Sequence, residues 1–125
     1  DELLEQSDYV SLHVALSAET RHLIGREQLA RMKPDAVLLN GARGPVVDLD
    51  ALAEALDGGR LGGAGLDVFP DEPFLADHPI KHCEQVVLTP HAADQTPEGV
   101  DLLNGGAVDN VIAFLEGKPQ NNVAR

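Results

Sequence analysis

The chain has 125 residues, of which 43% are hydrophobic and 24% charged, with a formal net charge of −12 and a single cysteine, Cys83. This length allows one domain with a modest core, and the single cysteine excludes an internal disulfide and favours a reducing, cytoplasmic setting. The acidic excess argues against nucleic acid or an anionic membrane as a partner, because contacts to phosphate need clustered lysine and arginine.

Four short apolar runs, taken in chain order, predict β-strands. They cover Asp8–Ala15, Ala36–Asn40, Gly63–Phe69 and Gln85–Thr89. None of them approaches the about 20 apolar residues that a membrane-spanning helix needs. Uninterrupted apolar runs are typical of strands in a parallel sheet whose two faces are both covered.

Helical patterns alternate with these runs. The chain opens at Asp1 inside a helical pattern, which suggests that the sequence has been cut from a longer one. Glu27–Lys33 predicts a short helix that ends before Pro34, and Asp48–Leu56 predicts a helix with acidic residues in its first turn. The resulting β-α-β-α-β-β-α order predicts an α/β fold with a mainly parallel sheet.

The last predicted helix starts at Thr96-Pro97, a hydroxyl N-cap followed by a proline, and extends to Gly117. The Gly105-Gly106 pair weakens this helix by about 1 kcal/mol per glycine relative to alanine, and predicts a kink or the close approach of another element. One side of the helix carries an apolar stripe made of Val100, Leu103, Val108, Val111, Ile112 and Leu115.

A polar residue or segment lies at or just beyond the carboxyl-terminal part of each predicted strand: His13, Asn40–Arg43, Asp67 and His91. In open parallel α/β sheets, ligands bind at the carboxyl ends of the strands. Because these ends share one rim, the sequence predicts a functional site there.

Three side chains near this rim could carry chemistry. The guanidinium of Arg43, held in a glycine-containing turn, suits a carboxylate, although a lone arginine more often pairs with a surface acid. Glu72 lies in a loop that prolines stiffen, where a solvated acidic loop is the alternative. His91 could act as a general acid and base, and a carboxylate on one ring nitrogen would fix its tautomer. A lone histidine at a strand end is more often structural, but the three together favour a catalytic site.

Other chemistries are less favoured. His78 and His82 are four residues apart, and Cys83 directly follows His82, so one helix face could present metal ligands. Pro79 interrupts that helix, however, and paired CxxC motifs are absent. Apart from the neighbouring His82, Cys83 has neither a basic-rich setting nor a helix start that would activate a nucleophile, and the sequence contains no GxSxG motif.

Several motifs follow one another along nearly the whole chain. They are Ser7–Val14, Thr20–Gly25, Met32–Asp48, Ala64–Phe69, Glu72-Pro73 and Leu88–His91. In these motifs, their order and their spacing, the chain resembles the NAD-binding domain of D-isomer-specific 2-hydroxyacid dehydrogenases. The resemblance implies a Rossmann-like parallel sheet with helices on both faces, of which residues 1–95 form the second half. Residues 96–125 would be a C-terminal helix and tail leading back to an absent substrate domain.

The resemblance also implies an activity, the reversible oxidation of a D-2-hydroxyacid to a 2-oxoacid. Arg43 would bind the substrate carboxylate and polarise its carbonyl group. His91 would exchange the hydroxyl proton, and Glu72 would orient His91 and keep it basic. A carboxylate at position 72 favours hydroxyacid over formate chemistry, because the related formate dehydrogenases have glutamine there.

The cofactor implied is NAD, with NADP not excluded. The cofactor-binding residues would be His13, Ala42, Arg43, Asp67 and His91, with Asp67 contacting the nicotinamide carboxamide. The family's G-x-G-x-x-G loop, and the acidic residue that selects NAD, are absent from the sequence and would lie upstream of Asp1. The partners implied are a small 2-hydroxyacid or 2-oxoacid and, in the full-length parent, a second copy of the chain.

Two alternatives stay open at this point. Co-repressors that sense NAD(H) share this fold and these residues, so a binding protein is one alternative. An inactive truncated copy is the other, and the isolated chain is expected to be inactive because it lacks the phosphate-binding loop.

Overall fold

The computed structural model describes residues 2–74, 77–92 and 94–122. The chain divides into two compact units, residues 1–91 and 92–125. The second unit contains a single long helix, α4 (Pro97–Leu115). The elements of the first unit are α1 (Glu2–Gln6), β1 (Tyr9–Leu12), α2 (Arg26–Arg31), β2 (Val37–Asn40), α3 (Leu49–Asp57), β3 (Gly63–Leu66) and β4 (Val86–Leu88), with 3-10 turns at Gly44–Val46 and Pro79–His82.

The four strands form one parallel sheet in the order β1-β2-β3-β4. Leu12, Asn40, Leu66 and Leu88 are register partners, so the last residues of all four strands lie in one row across the sheet. The predicted parallel α/β class is therefore confirmed. Strand β2 ends at Asn40 as predicted, whereas β1, β3 and β4 end one to three residues earlier than predicted, because the residues that follow them lie in loops at the rim.

One face of the sheet packs against α2 and α3. Leu38 of β2 lies in the same buried cluster as Leu29 of α2 and as Leu52 and Leu56 of α3. Leu38, Leu52 and Leu56 have no exposed surface. The apolar side of each helix and the apolar row of the sheet therefore form one core.

The opposite face of the sheet carries exposed apolar side chains. Tyr9, Leu39 and Val87 point to this face, with exposed fractions of 72%, 38% and 66%. Uninterrupted apolar strands predict two covered faces, but the described part of the first unit has a helical layer on one face only. A sequence pattern indicates which side chains are apolar and says nothing about what covers them.

Helix α3 begins as predicted, because Asp48 caps its first turn. The Asp48 carboxylate accepts a hydrogen bond from the backbone N–H of Ala51 at 3.1 Å. Replacing Asp48 by alanine is expected to lower the free energy of unfolding by about 1 kcal/mol in urea denaturation, because one N–H of the first turn loses its partner. Asp57→Ala, at the other end of the same helix, is the control and should not destabilise the protein. Equal losses for the two variants would contradict the capping role.

Helix α4 also begins as predicted, with the Thr96 hydroxyl accepting from the backbone N–H of Gly99 at 3.0 Å. It runs without interruption through Gly105-Gly106, and no atom lies within 4 Å of a methyl group placed on either glycine. The glycine pair therefore does not interrupt the helix. All six residues of the predicted stripe are exposed, and so are Leu102 and Phe114 outside it.

Within residues 2–74, 77–92 and 94–122, none of the helices combines the length and the apolar composition that crossing a bilayer would require.

Candidate active site

The carboxyl ends of the four strands bring the predicted residues to one rim. His13, Gly41, Asp67 and Thr89 directly follow the row of strand ends. Three groups form along this rim: an acid–base pair after β3 and β4, an arginine turn after β2, and a carboxylate between them.

The acid–base pair consists of Glu72 and His91. Glu72 Oε2 lies 2.7 Å from Nδ1 of His91, and its Oε1 accepts from the backbone N–H of Phe69 at 3.0 Å. The hydrogen bond to His91, followed by the one from Phe69, holds the pKa of the Glu72 carboxyl below its ordinary value, and the positive charge of Arg43 acts in the same direction. The structure therefore favours an ionised Glu72 with both oxygens engaged.

The hydrogen bond determines which nitrogen of His91 is available. A carboxylate can only accept, so Nδ1 carries the hydrogen and the lone pair of a neutral ring lies on Nε2. The His91 side chain is 43% exposed, so a small molecule can reach it. His91 also has a φ of 55°, in the left-handed region that side chains other than glycine rarely adopt. Such strained positions cluster at functional sites.

The arginine turn follows β2. Asn40 is buried, its Nδ2 donates to the carbonyl of Arg43 at 3.0 Å, and its Oδ1 accepts from the N–H of Ala42 at 3.1 Å. The Arg43 side chain donates to the carbonyl of Ala42 at 2.6 Å. In the described part of the chain Arg43 makes no ion pair with a carboxylate, so the surface-pair alternative is not what the structure contains.

Gly44 holds the arginine turn against the loop that carries Glu72. A methyl group on Gly44 would lie 2.0 Å from the carbonyl carbon of Phe69 and 2.1 Å from its oxygen. Only glycine fits at this distance. The residue after Arg43 therefore contacts the same residue whose N–H holds Glu72.

Asp67 lies between the two groups. Its carboxylate accepts from the Thr89 hydroxyl at 2.5 Å, and its backbone N–H donates to the carbonyl of Asn40 at 3.0 Å. Thr89 lies within the matching segment Leu88–His91, and the sequence alone assigned it no role. The signal available was a hydroxyl residue directly after β4, on the same rim as an acid.

His13 and Ala42 lie at the same rim as the other predicted cofactor-binding residues. The His13 ring is 2.8 Å from the hydroxyl of Ser11 on its own strand. Among the residues that the structure describes, no hydrogen bond joins the His13 side chain to the rest of the predicted site. The buried Ala42 presents its backbone to the turn.

An apolar cavity of about 380 Å³ adjoins the acid–base pair. The rings of Phe69 and Phe74 stack in its wall with centroids 4.5 Å apart, and the Lys81 ammonium lies 4.7 Å from the Phe74 ring centroid. Glu72 and His91 therefore have water on one side and a largely apolar wall on the other.

In the described part of the chain, no comparable site is formed by the alternative candidates His78, His82 and Cys83. His78 accepts from the N–H of Ile80 at 3.1 Å and faces Asp50, whereas His82 lies 3.4 Å from Asp77. Burial raises the pKa of the Cys83 thiol, which favours the unreactive protonated form. Within the described ranges, no three histidine, cysteine or acidic side chains are placed to hold a metal ion.

The Glu72–His91 pair predicts a contribution to acid sensitivity. Because the folded state holds the pKa of Glu72 below its ordinary 4.5, its stabilising contribution is complete above pH 4.5 and is lost as the pH falls through the folded-state value. Urea denaturation at a series of acidic pH values should therefore show a smaller loss of stability for Glu72→Gln than for the unmodified protein. Glu116→Gln, an exposed control, should follow the unmodified protein. Identical profiles for all three would contradict the prediction.

Comparisons with known proteins match nearly the whole chain to one family. A family profile described as D-isomer specific 2-hydroxyacid dehydrogenase, NAD binding domain, matches residues 1–93. The glyoxylate reductase of Korarchaeum cryptofilum (strain OPF8) is 50% identical over 123 residues, which make up 98% of this chain and 37% of that protein.

Solved structures also match the fold of this chain. An acyclic imino acid reductase (Bsp5) in complex with NADPH and D-Arg has a TM-score of 0.91 and 36% identity, over 98% of this chain and 39% of its own. The D-lactate dehydrogenase of Aquifex aeolicus, complexed with NAD and lactic acid, has a TM-score of 0.81 and 39% identity, over 94% of this chain and 40% of its own. The chain thus spans about two fifths of the length of these proteins.

Proposed function

The chain belongs to the D-isomer specific 2-hydroxyacid dehydrogenase family, through the NAD-binding domain of that family, and we propose that it is the second half of this domain in an oxidoreductase. The family predicted from the sequence is thereby confirmed. The proposed enzyme transfers a hydride between NAD(P) and a small D-2-hydroxyacid or 2-oxoacid. The observation that carries the proposal is the 2.7 Å contact between His91 and Glu72, on the rim where Arg43 also lies.

Two features of the sheet support its assignment as half of a domain. Strand β1 is an edge strand, and the sheet face that carries Tyr9, Leu39 and Val87 is exposed. Additional strands and helices would cover both in a doubly wound domain. The sequence also lacks the G-x-G-x-x-G loop, which binds the dinucleotide phosphates in that fold.

The proposed chemistry assigns one role to each group of the site. Arg43 binds the substrate carboxylate and places the C2 carbonyl near His91. During reduction His91 Nε2 gives a proton to the C2 oxygen, and during oxidation it takes that proton back. Glu72 keeps the ring oriented and balances the positive charge that the protonated ring carries. The bound dinucleotide supplies or accepts the hydride at C2.

The rim residues fit a nicotinamide cofactor. The Asp67 carboxylate, held at the rim by Thr89, is an acceptor suited to the amide NH₂ of a carboxamide. Ala42 and His13 lie beside the neighbouring strand ends, where they would line the nicotinamide ring that carries this carboxamide.

The test is an assay of the complete protein that contains these residues. Reduction of glyoxylate, hydroxypyruvate and pyruvate with NADH and with NADPH is followed through the absorbance of the reduced cofactor. The same assay with an imine, formed from one of these oxoacids and an amine, tests whether the protein also reduces imino acids, as the name of the imino acid reductase indicates for that enzyme. Cofactor binding without turnover of any substrate would refute the proposal and favour an NAD(H)-sensing binding protein. If the protein neither binds the cofactor nor turns over a substrate, it is an inactive copy.

The role of Arg43 predicts a change in substrate affinity. Arg43→Lys should raise KM for the 2-oxoacid by about 10- to 100-fold, because a charge-assisted, two-pronged contact contributes about 1.5–3 kcal/mol. KM for the dinucleotide should change much less. Arg26→Lys, which replaces an exposed arginine paired with Glu54, is the control. An unchanged KM for the oxoacid in Arg43→Lys would exclude the assigned role.

We also propose that the complete protein works in the reducing cytoplasm and forms a homodimer. The single free cysteine, Cys83, is compatible with a reducing compartment. Sedimentation of the complete protein measures its oligomeric state directly.

A further inference from the structure

We propose that Asn40 is a positioning residue that holds the substrate-binding and cofactor-binding groups of the rim in register with each other. The inference rests on the proposed function, because it concerns how Arg43, Ala42 and Asp67 are held. Asn40 itself would not touch substrate or cofactor.

The hydrogen bonds of Asn40 reach all three of these residues. Its side-chain NH₂ donates to the carbonyl of Arg43, its side-chain oxygen accepts from the N–H of Ala42, and its backbone carbonyl accepts from the N–H of Asp67, at 3.0, 3.1 and 3.0 Å. The first two bonds close the turn after β2, and the third joins that turn to the end of β3. One residue therefore connects groups that come from two strands.

The surroundings of Asn40 make an amide an unusual choice for stability alone. Its register partners are Leu12 on one side and Leu66 on the other, and Asn40 is only 2% exposed. It is the one polar residue among the buried residues that the structure describes. Burying an amide has an energetic cost unless its donor and acceptor are both satisfied, and here both are.

An amide also has the chemistry that this turn needs. The turn offers an N–H at Ala42 and a carbonyl at Arg43, so the side chain must accept at one atom and donate at the other. The Arg43 carbonyl receives a second hydrogen bond, from the N–H of Val46 at 3.1 Å. These two hydrogen bonds hold the backbone from which the Arg43 side chain projects at the rim.

The first experiment is a double-mutant cycle on the complete protein. Asn40→Ala should raise KM for the 2-oxoacid about tenfold, the equivalent of one ordinary hydrogen bond, with a smaller effect on kcat. If Asn40 acts through Arg43, adding Asn40→Ala to Arg43→Lys should raise KM much less than it does alone. Multiplicative effects on KM would overturn the proposal.

A control separates positioning from loss of stability. Leu38→Val removes one methylene group from the core of the same strand and leaves the turn intact. This variant should lower the melting temperature without changing KM for the oxoacid. A similar rise in KM for Leu38→Val and Asn40→Ala would show that any weakening of the sheet has this effect, which also overturns the proposal.

Amide hydrogen exchange tests the proposal without any activity, so failure of the proposed reaction would not affect it. The N–H of Val46 bonds to Arg43 and not to Asn40, so it reports on the turn indirectly. In Asn40→Ala, exchange at Val46 should rise at least about tenfold relative to exchange at Leu52 in α3, which controls for global opening. An unchanged ratio would refute positioning by Asn40, whether or not the protein reduces oxoacids.

Discussion

Replacing His91 by asparagine is expected to lower kcat for 2-oxoacid reduction by a factor of about 10² to 10⁴, the usual contribution of a general acid or base. Asparagine keeps a polar group near Glu72 but cannot supply or store the proton that the C2 oxygen requires. Steady-state assays of the complete protein measure the effect. Dinucleotide affinity, measured by fluorescence titration, should fall by a much smaller factor than kcat.

Two further variants identify the cause of that loss. Glu72→Gln keeps the shape of the side chain but removes the carboxylate bonded to His91 at 2.7 Å, so kcat should fall by a smaller factor. His82→Asn is the matched control, because His82 is also near a carboxylate, Asp77, but lies outside the rim. It should leave kcat unchanged. A kcat for oxoacid reduction that is unchanged in His91→Asn would exclude His91 as the general acid.

Replacing Gly44 by alanine is expected to lower the free energy of unfolding by about 3 kcal/mol, the upper end of the usual cost of overpacking. The added methyl group would lie 2.0 Å from a backbone atom of Phe69, which cannot move aside as a flexible side chain can. The loop from Phe69 to Glu72 must shift instead. Urea denaturation measures the loss of stability.

The same turn offers a matched control. Gly41 has no atom within 4 Å of an added methyl group, so Gly41→Ala should leave stability nearly unchanged. Residual activity of Gly44→Ala should be reduced as well, because displacement of Phe69 breaks the N–H contact that holds Glu72 at 3.0 Å. A fully stable and active Gly44→Ala protein would show that the two loops do not pack in this way.

Local patterns along the chain were sufficient for much of the architecture. Thr96 was identified as a helix N-cap and Asp48 as an acidic residue at a helix start, because both signals depend on residues within one turn of the helix. The four strands and their parallel class followed from short apolar runs separated by helical patterns. The family followed from several motifs in one order, and the strand ends then placed Arg43 and His91 on one rim.

Contacts between distant parts of the chain could not be read in this way. Glu72 and His91 are 19 positions apart and Asp67 and Thr89 are 22 apart, and no periodicity relates them. The contact of Gly44 with Phe69 depends on how two loops meet above the sheet. Asn40 appeared in the sequence as one member of a polar segment, and only its burial between Leu12 and Leu66 indicates a specific role.

The sequence by itself thus determined the class of fold, the family and the side chains gathered at the rim, because these depend on local propensity and on the direction of parallel strands. Only the tertiary structure decided which of those side chains touch, that Thr89 and Asn40 support them, and that one sheet face and helix α4 are exposed. Hydrogen bonding and burial are relations between residues brought together by folding. A linear pattern shows that a surface is apolar but not what covers it.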